Sequence, residues 1–280
     1  MFDVQPSSSD ARFIGSIPEL YDRYLGPLLF VDYAIDLASR VRLGPAEHAA
    51  VLEIAAGTGI LTEQLRARLP ADVALTATDL NAPMLAVAEQ RLAAAGLGDG
   101  ITWRTADATE LPFPDASFDA VVCEFGVMFF PDKPRAALET RRVLRPGGQW
   151  LFSVWGSHAD NEFARIAHET ISGFFTERPP GFYRVPFGFS DATALRSLVI
   201  DAGFAEPEIV TLDRVAVASS AADAAIGLVL GNPVVDEIRQ RGIADPHDVA
   251  TAVERALVKR YGDRPLRFPT RIRVVATHAP

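Results

Sequence analysis

The stretch that most constrains this chain is Glu53-Ile54-Ala55-Ala56-Gly57-Thr58-Gly59, which follows the apolar run 50–55 and leads into a helical pattern through about Leu69. A strand that runs into glycines and then into a helix brings bare backbone and free N–H groups up to whatever lies above the strand. Gly57 and Gly59 can take φ values that other residues resist, and they leave room for a ligand against the main chain. The same turn also serves as a tight strand-to-helix connection with no ligand, so alone it fixes geometry rather than chemistry.

The flanking pattern sets the fold. Residues 73–78 read as a second strand ending at Asp79, and Asn81 reads as the N-cap of a helix with Pro83 in its first turn. Ile101–Thr105, Phe118–Glu124 and 149–155 read as further strands. Between the last two, 136–144 reads as a helix closed by the stop and turn Arg145-Pro146-Gly147-Gly148. Strands separated by helices imply a parallel sheet with helices on both faces. Glu208–Ala218 and 266–277 read as two final strands, which predicts an α/β, Rossmann-like, mostly parallel seven-stranded sheet. The stretches 156–189 and 219–262 are then helical insertions forming a cap. Upstream, 1–15 reads as a loose arm, and 18–42 as helical with a break at Gly26-Pro27. The expected division is a helical lid over 1–44, a ligand-binding core over 45–156, and the rest of the sheet with its cap over 157–280.

Charge narrows the partners. With a net charge of −9, the chain lacks the Lys and Arg excess that phosphate contacts require, which argues against nucleic acid and against a polybasic membrane contact. A single cysteine, Cys123, permits no intrachain disulfide and no cysteine-built metal site; it reads as a small buried residue. No run reaches the roughly 20 apolar residues of a membrane span, and the start carries no signal-peptide pattern. The expectation is a cytoplasmic enzyme acting on a small molecule without a metal, with a homodimer allowed.

Asp79 sharpens the ligand. A carboxylate at the end of the second strand accepts from both hydroxyls of a ribose, or else simply pairs with a helix dipole. The dinucleotide pattern G-x-G-x-x-G is incomplete, because Thr62 stands at the third glycine. Glu53 adds a negative charge before the glycines, which a pyrophosphate would not favour and a cation would. S-adenosylmethionine carries a sulfonium and an ammonium and no phosphate.

Glu53–Gly59, Asp79, Asp107-Ala108, Leu111-Pro112-Phe113, Phe118-Asp119 and Leu144–Gly148 stand in the order found in class I S-adenosylmethionine-dependent methyltransferases. Over roughly 45–156 the chain resembles the ubiquinone/menaquinone-biosynthesis-like group of small-molecule methyltransferases. The resemblance implies that Gly57, Thr58 and Gly59 line the methionine part and that Glu53 holds its ammonium end. It implies that Asp79 binds the ribose, that Leu80 and Met84 pack on the adenine, and that Asp107 and the Ala108 N–H read its edge. Glu124 and Phe125 would face the methyl group, and Tyr21 or Tyr24 would close over the cofactor. S-adenosylhomocysteine would be the product. Where amino-methylating nucleic-acid enzymes carry Asn/Asp-Pro-Pro-Tyr/Phe, this chain has Cys123-Glu124-Phe125-Gly126, which lowers that reading.

Glu124 and His158 are the candidate catalytic groups, His158 because it follows the fifth strand. Met128, Phe129 and Phe130 read as core or pocket wall, and Phe118 and Asp119 as a strand start. Phe174, Phe175, Phe182, Tyr183, Phe187 and Phe189 crowd one region of the cap. They read equally as a small satellite core or as a pocket for an apolar or aromatic acceptor. An RNA or protein methyltransferase, or a non-methylating cofactor-binding member of the fold, remain the alternatives.

Overall fold

The computed structural model describes residues 11–44 and 48–280. Most of the predicted loose arm, together with the 44/45 boundary, lies outside the described residues. Seven strands form one sheet in the order β3-β2-β1-β4-β5-β7-β6. They are β1 (Ala50–Ile54), β2 (Ala74–Asp79), β3 (Ile101–Thr105), β4 (Phe118–Glu124), β5 (Leu144–Trp155), β6 (Glu208–Ala218) and β7 (Leu266–His278). The first five are parallel, and β7 runs antiparallel between β5 and β6. Val51, Leu52, Val121, Val122 and Leu151 are fully buried, as parallel strands covered on both faces require. The mostly parallel seven-stranded sheet expected from the strand–helix alternation is therefore present.

Helices α3 (Ile60–Arg68), α4 (Ala82–Ala94), α5 (Lys133–Val143) and α7 (Ala192–Asp201) follow strands in the order that a doubly wound sheet demands. The cap is built by α6 (Glu162–Ser172), α8 (Ala221–Leu230), α9 (Val234–Arg241) and α10 (Pro246–Tyr261). Helix α10 packs against both α6 and α8. Helix α8 also packs on the N-terminal helical run, whose parts are α1 (Ile17–Leu20), a wide π-type stretch Tyr21–Phe30, and α2 (Val31–Ser39).

Three expectations change. The N-terminal helix does not break at Gly26-Pro27, because the π-type stretch passes through both residues. The wider turn removes the usual i−4 pairing that proline cannot join, so the chain continues. The segment 144–148 is not a free turn but the start of β5. Its register against β4 jumps between Phe118↔Leu144 and Ala120↔Gln149, and Gly147 sits at φ 78°. The bulge is held from the other side, where Gly147 N–H donates to Ala279 O and Ala279 N–H to Gly148 O. Finally, residues 11–15 are not loose. The Phe13 N–H donates to Asn81 Oδ1 at 3.2 Å, and Asn81 Nδ2 donates to Ala11 O at 2.9 Å. Asn81 occupies the N-cap position of α4, yet its side chain serves this strap rather than the helix end.

Gly59 shows how sequence dictates packing here. It sits at φ 80°, and a Cβ added there would lie 2.9 Å from the Cβ of Ala88 in α4. Only a bare Cα lets α4 lie against the start of α3. Gly59→Ala should lose about 2–4 kcal/mol from left-handed strain and overpacking together. Urea unfolding checks this, and an unchanged midpoint would remove the packing role.

Candidate active site

The strand order reverses between β1 and β4, the place where an open parallel sheet leaves a crevice above its carboxyl ends. Three adjacent strands deliver an acid to that crevice: Glu53 from β1, Asp79 as the last residue of β2, and Glu124 as the last residue of β4. A cavity of about 310 Å³ opens there, lined among others by Tyr21, Gly57, Asp79, Leu80, Met84, Asp107, Ala108, Glu124 and Phe125. A smaller recess of about 30 Å³ runs beside it and is lined by Glu53, Thr58 and Glu124 with Tyr21, Gly57 and Phe125. Among the described residues, no Lys, Arg or His lines either space.

The backbone is bent to make this arrangement. Ala55 and Phe125 hold φ values of 57° and 51°, and Gly57 one of 56°. For non-glycine residues such geometry costs of order 1–3 kcal/mol and persists only where the surroundings impose it. The two bends follow Glu53 and Glu124 closely, turning the chain away from the sheet just where their side chains enter the crevice. Gly126 is bare for the same reason, since a Cβ there would lie 2.5 Å from the Cβ of Ala55.

Asp79 is anchored by its own backbone surroundings. Its Oδ2 accepts from the Gly57 N–H at 2.9 Å and its Oδ1 from the Asn81 N–H at 2.8 Å. Burial pushes its pKa above the ordinary carboxylate range, and the Asn81 and Gly57 N–H groups pull part of that back. Asn81 Nδ2 also donates to Oδ1 at 3.3 Å, so Oδ2 is the oxygen that keeps a lone pair for a further donor. Met84 is buried against Gly57, while Leu80 stands 54% exposed, and both line the cavity. Asp107 lies at the far end, its Oδ1 engaged by the Thr109 N–H and hydroxyl.

Glu53 and Glu124 are unlike Asp79. Glu53 is 1% exposed, and its Oε2 has no partner. Burial raises its pKa to about 8; the Thr62 hydroxyl opposes this, the Asp79 charge adds to it, and Arg91 pulls it down. The exposed part of Glu124 faces the two cavities, and its Oε1 is buried without a partner. Burial, then the Glu53 charge, holds it well above the ordinary range. An unpaired buried carboxylate costs several kcal/mol unless it is protonated or meets a cation. The donor set therefore fits a ligand with hydroxyls at one end and positive charge at the other, and it opposes a phosphate. S-adenosylmethionine has that form.

The structure gathers Glu53, Gly57, Thr58, Asp79, Leu80, Met84, Asp107, Ala108, Glu124 and Phe125 around this continuous space. It does not gather Gly59, Tyr24 or His158. Gly59 faces α4, as above. Tyr24 packs against α8 beside Gly227, and Tyr21 takes the crevice position instead. The wide turn of the π-type stretch sets which of the two rings points inward. Tyr21 is stacked on Phe30 with centroids 5.0 Å apart. His158 lies behind the cap wall, 5.1 Å from the Phe187 ring and 5.6 Å from His168. Burial, then the His168 charge, lowers its pKa to about 4, so it stays neutral and lies apart from the acids.

Sequence reasoning missed Phe13, Asn81 and Gly126 as lining residues, whereas Phe129 and Phe130, read as core or pocket wall, do line the cavity. Of the cap aromatics, Phe182, Tyr183 and Phe187 join Phe30, Phe125, Phe129 and Trp155 around a chamber of about 50 Å³. Tyr21 borders this chamber as well as both acid-lined spaces. Phe175 instead lies under the Arg241 guanidinium, 5.9 Å from its ring, and belongs with Phe174 and Phe189 to the main core and its edge rather than to the chamber. Cys123 is buried, and burial pushes its thiol up to about 12, which leaves it inert.

A pH dependence follows. In the folded chain Glu53 keeps its proton up to about 8, whereas unfolded it ionises near 4.5. Between those values the unfolded state binds fewer protons, so stability falls as pH rises through that window. Without ligand, the urea midpoint should be higher at pH 5 than at pH 8. The difference should correspond to a few kcal/mol and should shrink in Glu53→Gln. Parallel wild-type and variant profiles would contradict this.

Residues 52–152 match the family model described as a methyltransferase domain. A ubiquinone/menaquinone biosynthesis C-methyltransferase of Hahella chejuensis is 43% identical over 123 residues, covering 44% of this chain and 47% of that protein. The chain thus spans about half the length of the curated relatives it matches. Among solved structures, a phosphoethanolamine N-methyltransferase of Haemonchus contortus in complex with S-adenosyl-L-methionine superposes with a TM-score of 0.58 at 17% identity. That match covers 94% of this chain and 56% of the other. A [4+2]-cyclase superposes at 0.59 with 20% identity, covering 99% and 97%. At these identities the structural likeness shows the fold.

Proposed function

We propose that this chain, whose residues 52–152 match a methyltransferase domain, is a class I S-adenosylmethionine-dependent methyltransferase that transfers a methyl group to a small apolar or aromatic molecule. The observation that carries this reading is the run of three acids, Glu53 and Asp79 buried and Glu124 half-buried, with no cationic side chain among the described residues lining their crevice, at the sheet's switch point. Asp79 would accept from the ribose hydroxyls, Leu80 and Met84 would hold the adenine between them, and Glu53 would face the positive tail. When bound, S-adenosylmethionine supplies a methyl group on a positively charged sulfur, open to in-line displacement by an oxygen, nitrogen or carbon nucleophile.

The protein's task is then mainly alignment, which can supply about 7–11 kcal/mol. Phe125 sits between the acid-lined cavity and the aromatic chamber, stacked on Trp155 with centroids 4.5 Å apart. The ring walls keep water from the transfer path and favour an apolar acceptor. At about 50 Å³ the chamber is far below the ~300 Å³ of an ordinary ligand pocket. An acceptor of more than a few heavy atoms therefore enters only as the cap parts from the N-terminal helix. Among the described residues, no Asp, Glu, His or Lys lines the chamber, which suits an acceptor already nucleophilic at neutral pH. The name of the Hahella relative, a C-methyltransferase of quinone biosynthesis, is in keeping with an apolar acceptor. A fold that uses no disulfide suits the cytoplasm.

Calorimetry with S-adenosylmethionine, S-adenosylhomocysteine and NAD tests the cofactor. The adenosyl compounds should bind and NAD should not; the reverse would overturn the reading. Asp79→Ala should weaken S-adenosylhomocysteine binding about 10- to 100-fold through lost ribose bonds. Unchanged affinity would take Asp79 out of the site.

A further inference from the structure

We infer that Asn232 is a specificity-determining residue of the aromatic chamber: its amide oxygen receives an O–H or N–H carried by the apolar acceptor, at the end away from the cofactor. The inference rests on the acceptor reading above and adds the polar group that the acceptor must bring.

The chamber is walled mostly by rings and aliphatic side chains, and the residues around it that carry a polar side-chain atom are Tyr21, Trp155, Tyr183 and Asn232. Tyr21 also borders the acid-lined spaces. The Tyr183 hydroxyl is engaged, donating to Leu228 O at 2.6 Å. Trp155 offers a donor and no acceptor. Asn232 is 8% exposed and stands between α8 and α9. Its Nδ2 donates to Leu228 O at 3.3 Å and to Gly227 O at 3.5 Å. Those carbonyls belong to the last turn of α8 and can be met only by a donor, so they fix which prong of the amide is nitrogen. The other prong, Oδ1, receives no hydrogen bond from the described residues. Capping of α8 therefore accounts for half of the amide and leaves the oxygen without a role. An amide oxygen against apolar walls is costly to leave bare, and a donor on the acceptor removes that cost. Asn232 borders the chamber and neither acid-lined space, whereas Phe125 stands on the boundary between them. A group held at Asn232 is thus away from the methyl donor, so it orients the acceptor and is not the atom methylated. Asn232 also lies outside the matched residues 52–152, in the part of the chain that builds the cap.

The test titrates the full chain, saturated with S-adenosylhomocysteine, with two matched pairs of probes followed by ligand-observed NMR. The pairs are phenol with toluene and indole with indene, alike in shape, the first member alone bringing a donor. In the wild type the donor-bearing member of at least one pair should bind as tightly as its partner or more so, although its polar group favours water over an apolar wall. Asn232→Leu nearly keeps the volume and removes the amide, and urea unfolding checks the fold. In that pair it should weaken the donor-bearing member about tenfold or more relative to its partner. Tighter wild-type binding of toluene and indene in both pairs overturns the inference without any variant. So does an Asn232→Leu effect that is absent, or equal for both members, which marks a helix cap and nothing more. If the wild type binds S-adenosylhomocysteine and none of the four probes, the apolar-acceptor reading falls, and this inference with it.

Discussion

The structure depends on an unfavourable electrostatic arrangement at the carboxyl ends of β2, β1 and β4. Asp79, Glu53 and Glu124 are brought together below the surface, and only Asp79 is fully served by backbone donors. Burial raises all three pKa values, and the charges on Asp79 and Glu53 add to the effect on their neighbours. A fold selected only for stability would place apolar groups there. The strained residues Ala55 and Phe125, and the bare Gly57 and Gly126, serve the same end by keeping the floor of the crevice thin. The cost is recovered when a ligand with hydroxyls and positive charge enters.

The rest of the molecule encloses that crevice. The parallel core supplies rigid strand ends, while the N-terminal helix and the cap supply the ceiling. The π-type stretch matters because it turns Tyr21, and not Tyr24, toward the acids, where it borders all three spaces. Its phenol is held well above its ordinary pKa by burial, then by Glu124, Asp79 and Asp22, so it stays neutral beside them. Below the strap, Phe13 meets Tyr21 and Phe129 edge-on, at 5.7 and 6.0 Å. The strap, the N-terminal helix and the cap therefore share one aromatic wall, and movement of any one of them changes the others.

Much of this was legible in the sequence. The strand–helix alternation specified the sheet, and the glycine turn with Asp79 specified the crevice, because those features are local in the chain. The third-glycine position at Thr62 and the charge of Glu53 pointed to a cation before any geometry was known. What could not be read depended on long-range packing. Whether Tyr21 or Tyr24 turns inward depends on a π-type helix that no periodicity announces. Gly59 looked like a ligand contact beside Gly57, which does line the crevice, whereas the approach of α4 explains it. His158 looked available from its place after β5, but the ring of Phe187 closes over it. Residues 11–15 looked loose because the strap is tied by a side chain, Asn81, from a distant segment.

Burial raises the Glu53 pKa to about 8, so at neutral pH this acid keeps its proton for want of a cation. Ligand binding should then release protons, measured as the change in calorimetric enthalpy between buffers of different ionisation heat. At pH 7, S-adenosylhomocysteine binding should expel protons from the protein into the buffer. No exchange, or net uptake, would show that Glu53 does not meet a cation there.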